Sequence, residues 1–230
     1  MKLPSIVALT CLVALPASFA TAADYGWQSV QRDGQPMITG SGRVVTQQRA
    51  VGNFTRVELR GSTNLEVRLG AAPSLAVRAD DNILQQVTNR IENGTLIIDT
   101  RGSFRTRTSP KAFVTVPNID YLGSRGSGDA DIAGVANRRL ELALQGSGNI
   151  KATGRTEEVK VALKGSGNID TRGLRAGSAD VSLTGSGNVS VVTNGVLGAR
   201  LAGSGNIYVD GQPTVRNVRE AGSGNVIFSR

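Results

Sequence analysis

The stretch 141–173, ELALQGSGNIKATGRTEEVKVALKGSGNIDTRG, contains the tetrapeptide GSGN twice, beginning at Gly146 and Gly165. Further along it returns at Gly185, Gly203 and Gly222. A variant, GSGD, precedes them all at Gly126, so the steps are 20, 19, 20, 18 and 19 residues. A phosphate-binding loop occurs once and a flexible linker keeps no register. A fixed period of about twenty residues is the mark of a solenoid.

Columns counted from each first glycine test this. Two residues before it stand Leu144, Leu163, Leu183 and Leu201; four before stand Leu122, Leu142, Val161, Val181, Ala199 and Val218. Four after stand Ala130, Ile150, Ile169, Val189, Ile207 and Val226, and the intervening positions are polar or small. Each unit therefore reads as a strand of period-two alternation, a Gly-rich corner and a second strand. Helix is excluded, since nothing has a 3.6-residue period and each Gly would cost a helix about 1 kcal/mol. The expected fold is all-β: a parallel β-helix with about 20 residues per coil, whose strands run parallel and wrap a continuous aliphatic column.

In such a stack the corner glycines give positive φ and close approach. The amides of Asn149, Asn168, Asn188, Asn206 and Asn225 are expected to bond along the axis, with Asp129 breaking the row. The serines are expected to form a parallel hydroxyl row. Two charge columns alternate in sign, Glu141–Lys160–Asp180 and Asp131–Lys151–Asp170. They should pair across rungs, each worth a few tenths of a kcal/mol.

The front half, residues 43–120, reads as irregular first coils with a capping role, ahead of the regular repeats at 121–230. Gly61-Ser62-Thr63-Asn64 is a worn copy of the corner. PSLAVRAD (73–80), GTLIIDTR (94–101) and KAFVTVP (111–117) read as strands, the last two flanking the basic loop RGSFRTRTSPK (101–111). DNILQQV (81–87) reads as one helical turn capped by Asp81. Residues 23–42 read as a polar, extended leader. Residues 1–22 have a short basic end, an apolar run and a small-residue Ala20-Thr21-Ala22 ending, which is the pattern of a secretory signal peptide. No later apolar run is long enough to span a bilayer, so the chain is not expected to be integral to a membrane after cleavage.

The sole cysteine, Cys11, leaves with the signal, and there is no histidine. That excludes disulfides, thiolate metal sites, imidazole zinc sites and Ser-His-Asp or Cys-His catalysis. No cofactor is expected. The net charge is +8, and loss of Lys2, the one charged residue in 1–22, leaves +7. A basic exported protein meets anionic partners such as lipid phosphates and acidic glycans, although the same charge also serves plain solubility.

The succession VGNFTRVELRGSTNLEVRLG (51–70), DDNILQQVTNRIENGTLIID (80–99), VTVPNIDYLGSRGSGDADI (114–132) and then repeated GSGNI resembles the head GIN domain family of bacterial auto-transporter adhesins, over residues 43–230. The resemblance implies a right-handed parallel β-helix and a cell-envelope location, and it brings no catalytic residues. The sequence stops on its last coil with no membrane barrel after it, so the periplasm is expected ahead of display at the cell surface.

Three functions fit unequally. A non-enzymatic envelope module, adhesive or scaffolding, would use a basic strand face carrying Arg125 and Lys164 one residue before the corner, and Arg200 and Arg219 three before it. Its partner would be an anionic envelope polymer or another envelope protein, with no specific nucleic acid. A polysaccharide lyase or hydrolase would need clustered carboxylates beside a basic residue, for which Asp129, Asp131 and Arg125 are the nearest approach. Sugar-stacking aromatics are scarce, and Trp27 falls in the leader. Calcium rolls need G-G-x-G-x-D at a nine-residue period, and the neutral corner amides here do not supply that charge.

Export predicts a mature chain beginning at Ala23. N-terminal sequencing of the exported protein checks this, and an intact Met1 in a membrane fraction would overturn it.

Overall fold

The computed structural model describes residues 37–229. The signal peptide, Cys11, Trp27 and leader residues 23–36 lie outside the described residues.

The fold is built at the corners. Gly146 has φ of +140°, and a Cβ on it would collide with the carbonyl oxygen of Gly126 in the preceding coil. A Cβ on Gly148 would collide with the carbonyl of Gly128. In the space left, the N–H groups of Ser147 and Gly148 both donate to the Gly126 carbonyl, at 3.0 and 3.3 Å. The same pair of bonds joins each later corner to the one before it, up to Ser223 and Gly224 on Gly203. The first glycine of the tetrapeptide supplies the turn, and the second supplies the close approach.

From each corner two parallel ladders extend. In the pre-corner ladder Gly61, Gly126, Gly146, Gly165, Gly185, Gly203 and Gly222 lie in one register. In the post-corner ladder Leu65, Ala130, Ile150, Ile169, Val189, Ile207 and Val226 do the same. Long strands such as Ala130–Gly146 and Asn149–Gly165 carry the chain round the rest of each coil, with register shifts at the second bend. The columns read from the sequence point inward: Leu142, Leu144, Val161, Leu163, Val181, Leu183 and Leu201 are buried, as are Ile150, Ile169, Val189 and Ile207. Burial of each such side chain stabilises by about 1.5–3 kcal/mol.

Two features of the front half differ from the sequence reading. The first coils are not stacked in chain order. Arg56–Gly61 pairs on one side with Thr95–Thr100 and on the other with Tyr121–Gly126, so the 56–69 coil lies between the 95–116 segment and the first regular repeat. The cause is a reversal at Asn93-Gly94, both with positive φ (49° and 72°), which closes an antiparallel hairpin between Val87–Glu92 and Thr95–Thr100. Positive φ at both central residues is the geometry that tight hairpins favour, and Asn-Gly is its usual sequence. Ser74–Asp80 and Val44–Arg49 also pair antiparallel, and they cover the end of the post-corner ladder. There Arg49 donates to the carbonyls of Leu84 and Val87, fastening the cap.

Second, Asp81 does not cap a helical turn. A three-residue 3-10 turn, Leu84–Gln86, follows Ile83 with no side-chain cap. Asp81 instead accepts from Ser41 and Arg43, and Ile38–Thr39 pairs with Phe104–Arg105 in the basic loop. The end of the presumed leader is thus part of the folded body.

The other end is closed by a change of residue type. The inward column Leu140, Val159, Ala179, Leu197 ends on Arg216, and the column of leucines ends on Glu220. Arg216 lies over the ring of Phe228 at 4.3 Å, and Glu220 accepts from the Val226 N–H. Charged groups on the last coil keep a solenoid end soluble.

Leu163→Ala should destabilise by about 2–5 kcal/mol through the cavity it leaves, and Lys164→Ala by less than about 0.5 kcal/mol, as read by chemical denaturation; equal losses would overturn the register. A second pair separates steric from conformational cost. Gly134 has φ of +81° with open space around it, so Gly134→Ala should cost about 1–2 kcal/mol. Gly146→Ala should cost clearly more, because the preceding carbonyl must also move.

Candidate functional site

Within the pre-corner ladder alternate residues face out, and three outward columns form one surface. The middle column is nearly without side chains over four coils: Gly123, Ala143, Ala162 and Ser182. It then changes to Arg200 and Arg219. One flank carries Arg125, Gln145, Lys164 and Thr184, and the other carries Tyr121, Glu141, Lys160, Asp180, Gly198 and Asn217. The result is a shallow trough along the axis. At its first end Arg56 stacks on Tyr121 at 4.2 Å, and burial pushes the Tyr121 hydroxyl up from its ordinary pKa.

The four basic residues expected to share a face do so, and all four are exposed. Their charge is unevenly compensated. Glu58 holds Arg60 at 2.8 Å and Arg125 at 3.3 Å, and Asp180 holds Arg200 at 3.1 Å. Among the described residues, no carboxylate lies within 4 Å of Lys164 or Arg219.

The trough opens at its far end into a groove of about 700 Å³. A Cβ on Gly198 would lie 2.9 Å from the Asp180 carboxylate, so the missing side chain is what lets Asp180 lean across. Around Gly198 stand Ser178, Val196, Arg200, Asn217 and Arg219, with Arg216 and Val218 at the outer edge. Glu158, also on this groove, is taken by Arg139 at 2.8 Å. With Asp180 matched to Arg200, Arg219 is the cation in surplus. Val196 is 46% exposed and gives the groove apolar wall beside its cation. The sequence reading found Arg200 and Arg219 but missed the groove. Its signal was a glycine, Gly198, in a column otherwise occupied by Glu141, Lys160 and Asp180.

The corner residues are structural. The Asn168 amide donates to Asn149 at 2.9 Å, Asn188 to Asn168 at 3.1 Å and Asn206 to Asn188 at 3.4 Å, and the Asn225 N–H continues the row. Asp129 does not break this row. It accepts from the Asn149 side chain at 2.8 Å and from its backbone at 2.9 Å, and its own N–H donates to Asn64. No hydroxyl row forms among the corner serines in the described residues, since those positions bind through their backbone N–H groups. Of the alternating charge columns one cross-rung pair forms, Lys160 to Glu141 at 3.5 Å. In the other column Asp170 binds Arg172, two residues along its own strand, at 2.7 Å, and that hydrogen bond holds its carboxyl below the ordinary range.

The proposed enzyme cluster is not assembled: Asp129 is committed to the amide row and Arg125 to Glu58, in the ladder across the corner. Among the described residues no three acidic side chains gather as a metal site, and no helix is long and apolar enough to cross a membrane.

A family model described as "Putative auto-transporter adhesin, head GIN domain" matches residues 53–213. The fold is similar to that of a "putative adhesin" from Bacteroides fragilis NCTC 9343, with a TM-score of 0.67 and 21% identity over 84% of this chain and 100% of that one. It is similar to a "putative lipid binding protein" from Parabacteroides distasonis ATCC 8503 (0.55, 23%, 85% and 100%). It is also similar to a "putative adhesin" from Parabacteroides merdae ATCC 43184 (0.54, 16%, 84% and 99%). No curated protein sequence matches the chain.

Proposed function

The chain belongs to the head GIN domain family of auto-transporter adhesins, and from that premise we propose that it is a non-enzymatic, exported envelope module that holds anionic polymers on the outward face of its pre-corner ladder. The observation that carries this is the surplus of cations on that face. Lys164 and Arg219 lack a carboxylate partner among the described residues, and Arg125 shares one with Arg60. Uncompensated cations in a row along a rigid axis attract a chain of phosphates or carboxylates, and the attraction falls with salt. That the partner is held and released unchanged is supported by the engagement of Asp129 with Asn149 and of Arg125 with Glu58, away from each other. The signal pattern at 1–22 supports export to the periplasm or the cell surface.

Retention on immobilised heparin, lipopolysaccharide and a neutral glucan, at low and moderate ionic strength, tests this. Salt-sensitive retention on the two anionic materials, weakened in a Lys164→Ser, Arg219→Ser double variant, is expected. Salt-independent retention on the neutral glucan, or no retention on either anionic material, would overturn it.

A further inference from the structure

We propose that the groove at Gly198 is a binding site for an acidic sugar unit, a uronate within a longer polysaccharide; the proposal rests on the anion-binding reading above and gives it a location and a ligand class. A uronate presents a planar carboxylate, a set of hydroxyls and an apolar C–H face. The groove has a counterpart for each. Arg219 lies beside Arg200 in the same outward column of adjacent coils, about 4.8 Å away along the axis. Arg200 is tied to Asp180 at 3.1 Å, while Arg219 has no carboxylate within 4 Å among the described residues. Arg219 is therefore the free fork for a carboxylate, which guanidinium groups take in bidentate fashion. Asp180, Asn217 and Ser178 line the same groove and offer acceptors and donors to sugar hydroxyls. Val196, 46% exposed, supplies apolar wall. Gly198 adds no side chain to the floor, where the Asp180 carboxylate leans across, and the groove, about 700 Å³, is within the range of small-ligand sites.

The mixture of charges also argues against a lipid surface as the partner. A bilayer would lay its phosphates against every group on the face, including Asp180 and Glu158. A sugar places hydroxyls where those carboxylates stand.

The probe is trigalacturonate, compared with its trimethyl ester and with vesicles of phosphatidylglycerol and phosphatidylcholine. Affinities would be measured by titration calorimetry on the mature chain. Trigalacturonate should bind, and the ester at least about tenfold more weakly, since it lacks the carboxylate charge. Arg219→Gln removes an exposed side chain, and it should weaken trigalacturonate binding by at least about tenfold. Gly198 has no positive φ to strain a substitution, so Gly198→Leu should fill the floor and abolish binding with circular dichroism unchanged. Lys151→Ser, at an exposed position on the post-corner ladder, should leave trigalacturonate binding unaltered. Failure of trigalacturonate to bind, equal binding of acid and ester, or binding untouched by Arg219→Gln and Gly198→Leu would each overturn the site. If heparin retention persists in those cases, the anionic-polymer reading survives without it. Binding to the vesicles in place of the sugar would overturn the site in favour of a membrane surface.

Discussion

The structure depends on one contact repeated at every corner. A glycine carbonyl accepts two N–H groups from the next coil at a separation no side chain permits. It follows that both glycines of the tetrapeptide are required, and that the coils cannot slip against each other. In a strand stack a slip of one residue would turn every aliphatic column out and every charged column in. The corner bonds, with the amide row beside them, fix that phase. The flat outward face of the pre-corner ladder is a consequence: the register holds Gly123, Ala143, Ala162 and Ser182 in line.

The regular half was legible because a periodic sequence states its own register. Leu163 and Ile169 could be assigned inward without coordinates, since each coil repeats the assignment of the last. The front half was not legible in the same way. Gly61 was readable as a corner, but nothing in the period says that its neighbour is Gly126, 65 residues later. The Asn93-Gly94 reversal was the available signal, because it turns the chain back before the repeats begin and leaves the 56–69 coil to be covered from both sides. At the far end Arg216 and Glu220 interrupt two aliphatic columns. Such an interruption marks the outermost described coil.

The charges pair both across rungs and along strands. Alternating sign from coil to coil suggested pairs across rungs, and Lys160–Glu141 is one. Arg139–Glu158, Arg125–Glu58 and Arg200–Asp180 also join neighbouring strands, while Glu58 with Arg60, Glu66 with Arg68, Glu92 with Arg90 and Asp170 with Arg172 run along one. Residues two apart in a strand share a face, and their spacing does not depend on a neighbouring coil. Asp170 takes Arg172 in preference to Lys151 for this reason. The acid-x-base spacing of Glu58–Arg60, Glu66–Arg68 and Asp170–Arg172 was visible in the sequence and gives pairs that the columns alone do not predict.

A solenoid makes departures from its own repeat informative, and here they divide by the side of the strand on which they fall. Arg216 and Glu220 replace aliphatic residues on the inward side, and their contacts with Phe228 and Val226 account for them as an end cap. Gly198, Arg200 and Arg219 depart on the outward side, where burial makes no demand. Neither corner geometry nor capping explains why a column of charged residues should lose its side chain in the coil where a column of small residues turns to arginine, at Arg200 and then at Arg219 in the next coil. A solubility role would be met by charge anywhere on the surface, and it does not require a hollow beside it. A hollow joined to unmatched arginine and exposed valine has the form of a site for a ligand that is anionic at one edge and apolar across its face.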